Sequence, residues 1–513
     1  MKSFGLRNVA LIVLIFTYGS DLVCAQGVKR SVRIDGNRTH TYSNSNGVSK
    51  TNIEFRGDIE FNDDESDVAK LSPGGFIKFS KRSFGTKRTV IIEADAKGQI
   101  NREYYEGRQE VAFEPEGRKW LASVLPDIIR TTGIGAEGRV KKFYKKGGIE
   151  TVLNEISKIS SNYIKGIYYD VALSISGLTD KEIVDITTSA GNEITSNYEL
   201  GQVLLRNQDI FLRSETSIQA MIKATGKIGS NYDKAKVYKT ALKHELSPSS
   251  KKMIIKGVSN ISSNYEKSGV LIQLLSQDLS VENVELVLDE VDHISSSYEQ
   301  SKVLQYMINK QDIKELDMSE LLTTVGEIGS DYEKGKVFNS IISKTELTPE
   351  QIALIARNSE QISSDYEQAK LLGSLMSKQK LDSKGIDEII RMTRSLSSSY
   401  DQSKILYQVV GMDAFGTDNY PSFIQAVDRV KSTYEQSKIL SSFIDHETLS
   451  ANTFTSLLGV ISNISSNYEK AKLLTALAPK LPNDPAIKDK FIKAASSLSD
   501  YDYGKVMRAM NIR

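Results

Sequence analysis

The sequence predicts a mainly α-helical protein, an α-solenoid of about eleven helix-hairpin repeats of 33–35 residues behind a small antiparallel β-meander. Three observations carry that expectation. A phrase of Ser, one residue, Tyr and usually an acid recurs, with Tyr at 163, 198, 232, 265, 298, 332, 366, 400, 434, 468 and 501. Helix-start signals stand at both ends of a representative period. Period-two alternation, the mark of a strand, is confined to the stretch ahead of the repeats. A fixed period of this length means stacked units, each burying its apolar face against its neighbours.

Residues 1–25 read as a secretory signal peptide. Lys2 and Arg7 form the cationic start, and Val9 to Tyr18 is an apolar run too short to span a bilayer. Val23-Cys24-Ala25 then offers small residues for cleavage before Gln26. The alternative is a lipidated Cys24, which lacks the small residue expected before it. Cleavage removes the only Cys, so the mature chain has neither thiol nor disulfide. No later stretch has transmembrane length, so the expectation is a secreted or periplasmic protein with no integral membrane segment after cleavage. With 66 Lys+Arg against 65 Asp+Glu, no nucleic-acid partner is expected. The cluster Lys141, Lys142, Lys145 and Lys146 reads as a solvated helix face.

Residues 26–50 are polar and read as a flexible lead. Residues 51–114 read as the β-meander module. Ile53, Phe55, Gly57, Ile59 and Phe61 alternate with Glu54, Arg56, Asp58 and Glu60, predicting one half-buried strand. Further strands are predicted at Phe76–Ser80, Thr89–Glu93, Ile100–Tyr105 and Val111–Phe113, with turns at Lys97-Gly98 and Glu106-Gly107. Residues 115–158 read as a helical junction and a degenerate capping repeat. Trp120, Leu121, Val124, Leu125, Ile128 and Ile129 share one side of a helix bent at Pro126, which should cover the sheet. Gly133-Ile134-Gly135 opens a second helix and Gly147-Gly148 ends it.

Residues 159–513 are the solenoid. In the unit from Thr348 to Gln379, Thr348, Pro349 and Gln351 make a capping box. Ser364 and Glu367 predict a second box, so the unit is helix, turn, helix. Every unit keeps the Ser two residues before its Tyr, and the third residue after the Tyr is always Gly, Ala or Ser. A ring one helical turn from a small residue predicts ring-in-hole packing between neighbours. Only the fourth residue after the Tyr has no evident packing role. It is Lys236, Lys302, Lys336, Lys370, Lys404, Lys438, Lys472 or Lys505 in eight units, and these form the candidate binding row.

Catalytic signatures are missing. His244-Glu245 and His446-Glu447 lack the second His of a zinc-peptidase helix, and no nucleophile elbow or phosphate loop is present. No catalytic residue and no cofactor is therefore expected. Asp63, Asp64 and Asp67 of the acidic loop are the only metal candidates. A calcium loop starting at Asp63 would need Gly and Glu where Val68 and Gly74 stand.

The runs Gly57-Asp58-Ile59-Glu60-Phe61-Asn62-Asp63-Asp64, Leu71-Ser72-Pro73-Gly74-Gly75 and Trp120-Leu121, with the repeated Ile-Ser-Ser-Asn-Tyr phrase, carry a resemblance. Together they resemble the extracytoplasmic region of bacterial membrane metallopeptidases of the beta-lactam-sensor type and of related stand-alone secreted proteins. The resemblance implies export and a part in envelope sensing. It does not transfer proteolysis, because the zinc motif and membrane helices of that family are missing from this sequence. The functional expectation is an exported, non-enzymatic scaffold that binds a protein or extended polymer. Two alternatives stand beside it: an envelope hydrolase or peptidase accessory subunit with its site in the β module, and a structural spacer.

Overall fold

The computed structural model describes residues 39–45, 49–313 and 316–510. The expected signal peptide, Cys24 and most of the polar lead lie outside the described residues. The chain divides into two compact units between Ile210 and Phe211. Among the described residues no helix is long and apolar enough to cross a membrane.

The first unit opens with eight strands: β1 (His40–Ser45), β2 (Ser49–Arg56), β3 (Ile59–Phe61), β4 (Val68–Leu71), β5 (Phe76–Ser83), β6 (Thr86–Ala94), β7 (Ile100–Glu106) and β8 (Gln109–Val111). Six form an antiparallel sheet in the order β1-β2-β5-β6-β7-β8, and β3 with β4 forms a separate hairpin. The β-module and helical architecture agree with the sequence expectation, with two corrections. The lead is not flexible through residue 50: residues 40–45 are a strand paired along its length with β2. Its inward side chains account for this, because Tyr42 is buried opposite Ile53 and His40 stacks on Phe55 at 5.0 Å. The alternation from Ile53 to Phe61 is also two strands rather than one. Gly57 breaks it at φ +90°, where a Cβ would lie 3.2 Å from the Ser72 Cβ and 3.3 Å from the Gly75 Cα. Ile59 and Glu60 then pair with Leu71 and Lys70 instead of joining the main sheet.

Helix α1 (Arg118–Thr132) covers the sheet, running through Pro126. Leu121, Leu125, Ile128 and Ile129 are buried in one cluster with Ile53, Phe79 and Val90. Trp120 stands at the edge of that cluster, partly buried, with its ring 6.0 Å from Tyr104. Helix α2 (Ala136–Ile156) starts after Gly133 and Gly135, both at positive φ, and is interrupted at Gly147-Gly148. Helices α3 (Asn162–Leu173), α4 (Asp180–Glu193) and α5 (Asn197–Arg206) complete the unit's repeats.

The acidic loop between β3 and β4 is a structural tie in which the three candidate metal ligands are held apart. Asp67 is turned inward onto Arg118 at 2.7 Å and Arg102 at 3.1 Å. Asp64 accepts from the Ser66 amide at 3.1 Å, and Asp63 projects into solvent. Two guanidinium groups commit Asp67, so the three carboxylates do not converge. No metal-type cluster occurs among the described residues. Next to Asp67, Glu65 pairs with the buried Arg139 at 2.7 Å, and Arg139 also reaches Glu155 at 2.8 Å. This network joins the β3–β4 loop to α2.

Burial alone would raise the Glu155 carboxyl, but hydrogen bonds from Arg130, Arg139 and Lys158 outweigh it and hold the group at about 2, below the ordinary 4.5. A folded-state value below the unfolded one means the stabilisation is full above about pH 4.5 and is lost as pH falls toward 2. Fluorescence of Trp120, the only Trp of the chain, reads unfolding of this unit. The melt followed there should weaken across that window. Glu155→Gln should cost about 1–3 kcal/mol at neutral pH, because it takes a charged acceptor from Arg130 and Arg139 while Glu65 still pairs with Arg139, and should flatten the acid dependence.

In the second unit each repeat is a helix pair, such as Pro349–Ser359 with Asp365–Lys378. Thr348 and Gln351 form the expected reciprocal capping box. The Tyr-bearing helices pack side by side in one layer and the leading helices in another. Phe338, Ile341, Leu371 and Leu372 are typical of the buried residues between the layers.

Candidate binding surface

Each Tyr stands in the first turn of the second helix of its repeat, and the residues around it divide the work. The Ser two before it caps that helix, as Ser330 does by accepting from the Glu333 amide and Ser364 from that of Glu367. The residue just before the Tyr joins repeats. The Asn231 side chain accepts from the Ser262 amide at 3.1 Å, and Asn264 accepts from Ser295 at 3.2 Å. Asp331 does the same for Ser364 at 3.1 Å, and Asp365 takes both Ser397 and Ser398. Ser399 then accepts from the Ser432 amide at 3.3 Å. In the first unit Asn162 accepts from the Thr195 amide at 2.9 Å.

That bridge corrects the second capping box. The Ser364 amide is already taken by Asp331, so Glu367 does not turn back to it. The acid after the Tyr points instead at the small residue of the preceding repeat. A Cβ on Gly335 would lie 3.3 Å from the Glu367 Oε2, and one on Gly166 would lie 3.5 Å from the Glu199 Oε2. The Ser268 hydroxyl donates to the Glu299 carboxylate in the same place. The hole beside each ring therefore admits a neighbour's carboxylate and not the ring.

The Tyr side chains are correspondingly outside. From Tyr232 to Tyr501 all nine of the second unit are 54–78% exposed, and in the first unit Tyr163 and Tyr198 are 39% and 59% exposed. Ring-in-hole packing is thus overturned, because cap, bridge and acid fill the joint without the ring.

All eight candidate Lys belong to the second unit. Lys236, Lys370, Lys404, Lys438, Lys472 and Lys505 are exposed, and Lys302 and Lys336 are half-buried. Lys302, Lys336, Lys370 and Lys472 lie 3.5, 3.1, 3.6 and 4.0 Å from the acid of their own repeat. Lys336 also lies over its own Tyr332 at 5.3 Å and Lys370 over Tyr366 at 5.9 Å, whereas Lys302 reaches back over Tyr265 at 5.9 Å. Glu299, Glu333 and Glu469 are themselves buried. The groups this face offers to solvent are rings and ammonium ions.

One row escaped the sequence reading. The second residue after the Tyr is a buried Lys or Gln in most repeats, and it serves the inter-helix turns. Lys234 donates to the Asn260 carbonyl at 3.3 Å, Gln402 to Leu396 at 2.6 Å and Lys470 to Ser462 at 3.0 Å. Burial lowers the Lys234 ammonium below its ordinary value. The signal was a long polar side chain kept at one place in a helix whose neighbours are apolar.

Between adjacent helices of the layer, Tyr298, Lys302, Tyr306 and Lys336 border an open groove of about 320 Å³. Such grooves can hold an extended chain against rings while ammonium ions meet its anionic groups.

Neither a family model nor a curated protein matches the chain. Several solved structures align loosely with the chain. They include a circular tandem repeat protein with a novel repeat topology, at 10% identity over 77% of this chain and 78% of that one, with a TM-score of 0.14. SYS-1 matches at 10% identity over 78% of both chains with a TM-score of 0.21. The Chs5–Chs6 exomer cargo adaptor complex, bound to a portion of Chs3, matches at 10% identity over 89% of this chain and 87% of that one, with a TM-score of 0.14. Superpositions this loose transfer no function.

The bridging residue yields a direct check. Asp365→Ala should destabilise the second unit by about 1–2 kcal/mol, since it leaves the next turn's amides without their acceptor. Asp365→Asn should retain most of the stability, as Asn does this work at positions 231 and 264. Urea unfolding followed by circular dichroism measures both.

Proposed function

We propose that the protein is an exported, non-enzymatic scaffold whose second unit holds an extended acidic polypeptide along its Tyr and Lys rows. One observation carries the reading: nine successive repeats place a Tyr ring in solvent at the same point, although packing does not require it. Six exposed Lys stand beside acids that are buried or half-buried, so the ammonium ions are the more accessible charges of the rows, which suits a carboxylate-bearing partner.

Spacing narrows the partner further. Helices stacked in a layer lie about 8–10 Å apart. A polyproline II chain rises about 3.1 Å per residue with three residues per turn, so it repeats at about 9.3 Å. An acid at every third residue would meet each Lys in turn, and the intervening residues would lie on the rings, as Pro-rich segments do in aromatic grooves. Export rests on the leader-like residues 1–25, and a role in envelope sensing rests on the family resemblance.

The β-module hydrolase lacks support, because the carboxylates it would use are paired apart with Arg102, Arg118 and Arg139. A spacer needs no repeated exposed ring.

The test is fluorescence anisotropy with labelled (Pro-Pro-Glu)n peptides of increasing length on the full chain. Affinity should rise with length and fall with salt. The combined variant Tyr332→Ala, Tyr366→Ala, Tyr400→Ala should lose about tenfold or more with its melting temperature retained. Length-independent binding, or equal binding of (Pro-Pro-Lys)n, would overturn the reading.

A further inference from the structure

At the tip of the β5–β6 hairpin the residue and its backbone disagree. Ser83 pairs with Thr86, so the turn has two residues, Phe84 at φ +48° and Gly85 at φ +84°. Two positive φ values favour Asn-Gly, and a bulky side chain at the first is strained. The Phe84 ring is also 90% exposed, so no packing offsets the strain. Behind it stand four cations, Lys81, Arg82, Lys87 and Arg88. Cross-strand pairing sets Lys81 opposite Arg88 and Arg82 opposite Lys87, and like charges so placed repel. Arg88 is offset by Glu106 at 3.4 Å. On the other face, away from the core residues Ile53, Phe79 and Val90, β2 adds Lys50 opposite Arg82 and makes a rung of three cations. Along β2, β5 and β6 neither this rung nor the next one inward, Asn52, Ser80 and Thr89, carries an acid.

We propose that this hairpin tip docks the protein on an anionic bilayer surface, with Phe84 entering the interface and Lys50, Arg82 and Lys87 meeting lipid phosphates. Neighbouring strands lie about 4.8 Å apart, so the three cations fall within ~10 Å, close enough to meet adjacent headgroups. Phe84 stands two residues past Arg82, or about 7 Å at ~3.3 Å per residue, which matches the ~5–10 Å depth reached by interfacial apolar groups. Lys and Arg gain from the negative potential of such a surface, and the ring gains a burial that the free protein denies it. The shape of the tip favours a bilayer over a folded partner. A Cβ on Gly85 would meet nothing within 4 Å, so the ring projects from a bare turn with no concave wall beside it. A fluid interface closes around such a tip, whereas a folded partner would need a socket cut for one ring. A soluble polyanion would use the cations and leave the ring in water.

Vesicle co-sedimentation tests this on the chain from Gln26, which keeps every described residue and omits the apolar run Val9 to Tyr18, itself able to bind lipid. Binding should saturate on phosphatidylcholine vesicles that contain phosphatidylglycerol, fall about tenfold or more on phosphatidylcholine alone, and weaken with salt. Phe84→Asn should weaken it about fivefold while the melting temperature stays equal or rises, because Asn suits the turn. The pair Arg82→Gln and Lys87→Gln should weaken it by about the same factor without loss of fold, since it removes a repelling pair. Phe84→Trp should keep the affinity and give a blue-shifted emission on anionic vesicles that the single-Trp parent lacks. No binding to anionic vesicles, or equal binding to both compositions, would overturn the proposal. Undiminished binding in Phe84→Asn would also overturn it, by leaving the cations to a soluble polyanion. Undiminished binding in the charge variant would do so by placing the lipid contact elsewhere on the chain.

Discussion

Five joints of the second unit depend on one short polar side chain, the residue immediately before the Tyr. It accepts the amides at the turn of the following repeat, which the turn's own residues leave unpaired. Once Asp331 has taken the Ser364 amide, Glu367 is free to reach the preceding repeat, and a small residue is needed at Gly335 to receive it. With the joint filled in this way, the ring has no interior place and stands in solvent. The exposed row is therefore a consequence of how neighbouring turns are capped.

Much of the fold was legible because repetition multiplies weak local signals. Ser at each helix start, Thr348-Pro349 and Gly147-Gly148 all act where the sequence places them. Three features were not legible, each for a physical reason. The strand at His40–Ser45 is short and mostly polar, and only its pairing with β2 reveals it. The break at Gly57 depends on the close approach of Ser72 and Gly75, which are distant in sequence. The direction of each Tyr was misread because spacing within one helix places the ring beside the small residue, whereas the occupant of that space comes from another repeat. The Lys row was legible as a row without a packing role, and its pairing with acid and ring follows from positions one turn apart on a helix.

The β module shows the opposite use of charge. Its acidic loop looks like a ligand set in sequence, yet Asp67 and Glu65 are consumed by arginines from three other elements. Buried pairs of this kind add little net stability, but breaking one is costly, so they favour a single arrangement of loop, sheet and helix.

Because the turn, the bridge and the acid recur from one repeat to the next over an apolar layer, many joints of the second unit share nearly the same chemistry. Gaining or losing a whole repeat would then rebuild the same contacts and leave no foreign seam. The length of the row can change only in whole repeats, so duplication within the gene lengthens the face by one Tyr and, in most repeats, one Lys at a time. A partner with a periodic chain could be followed by such changes without any new side-chain invention.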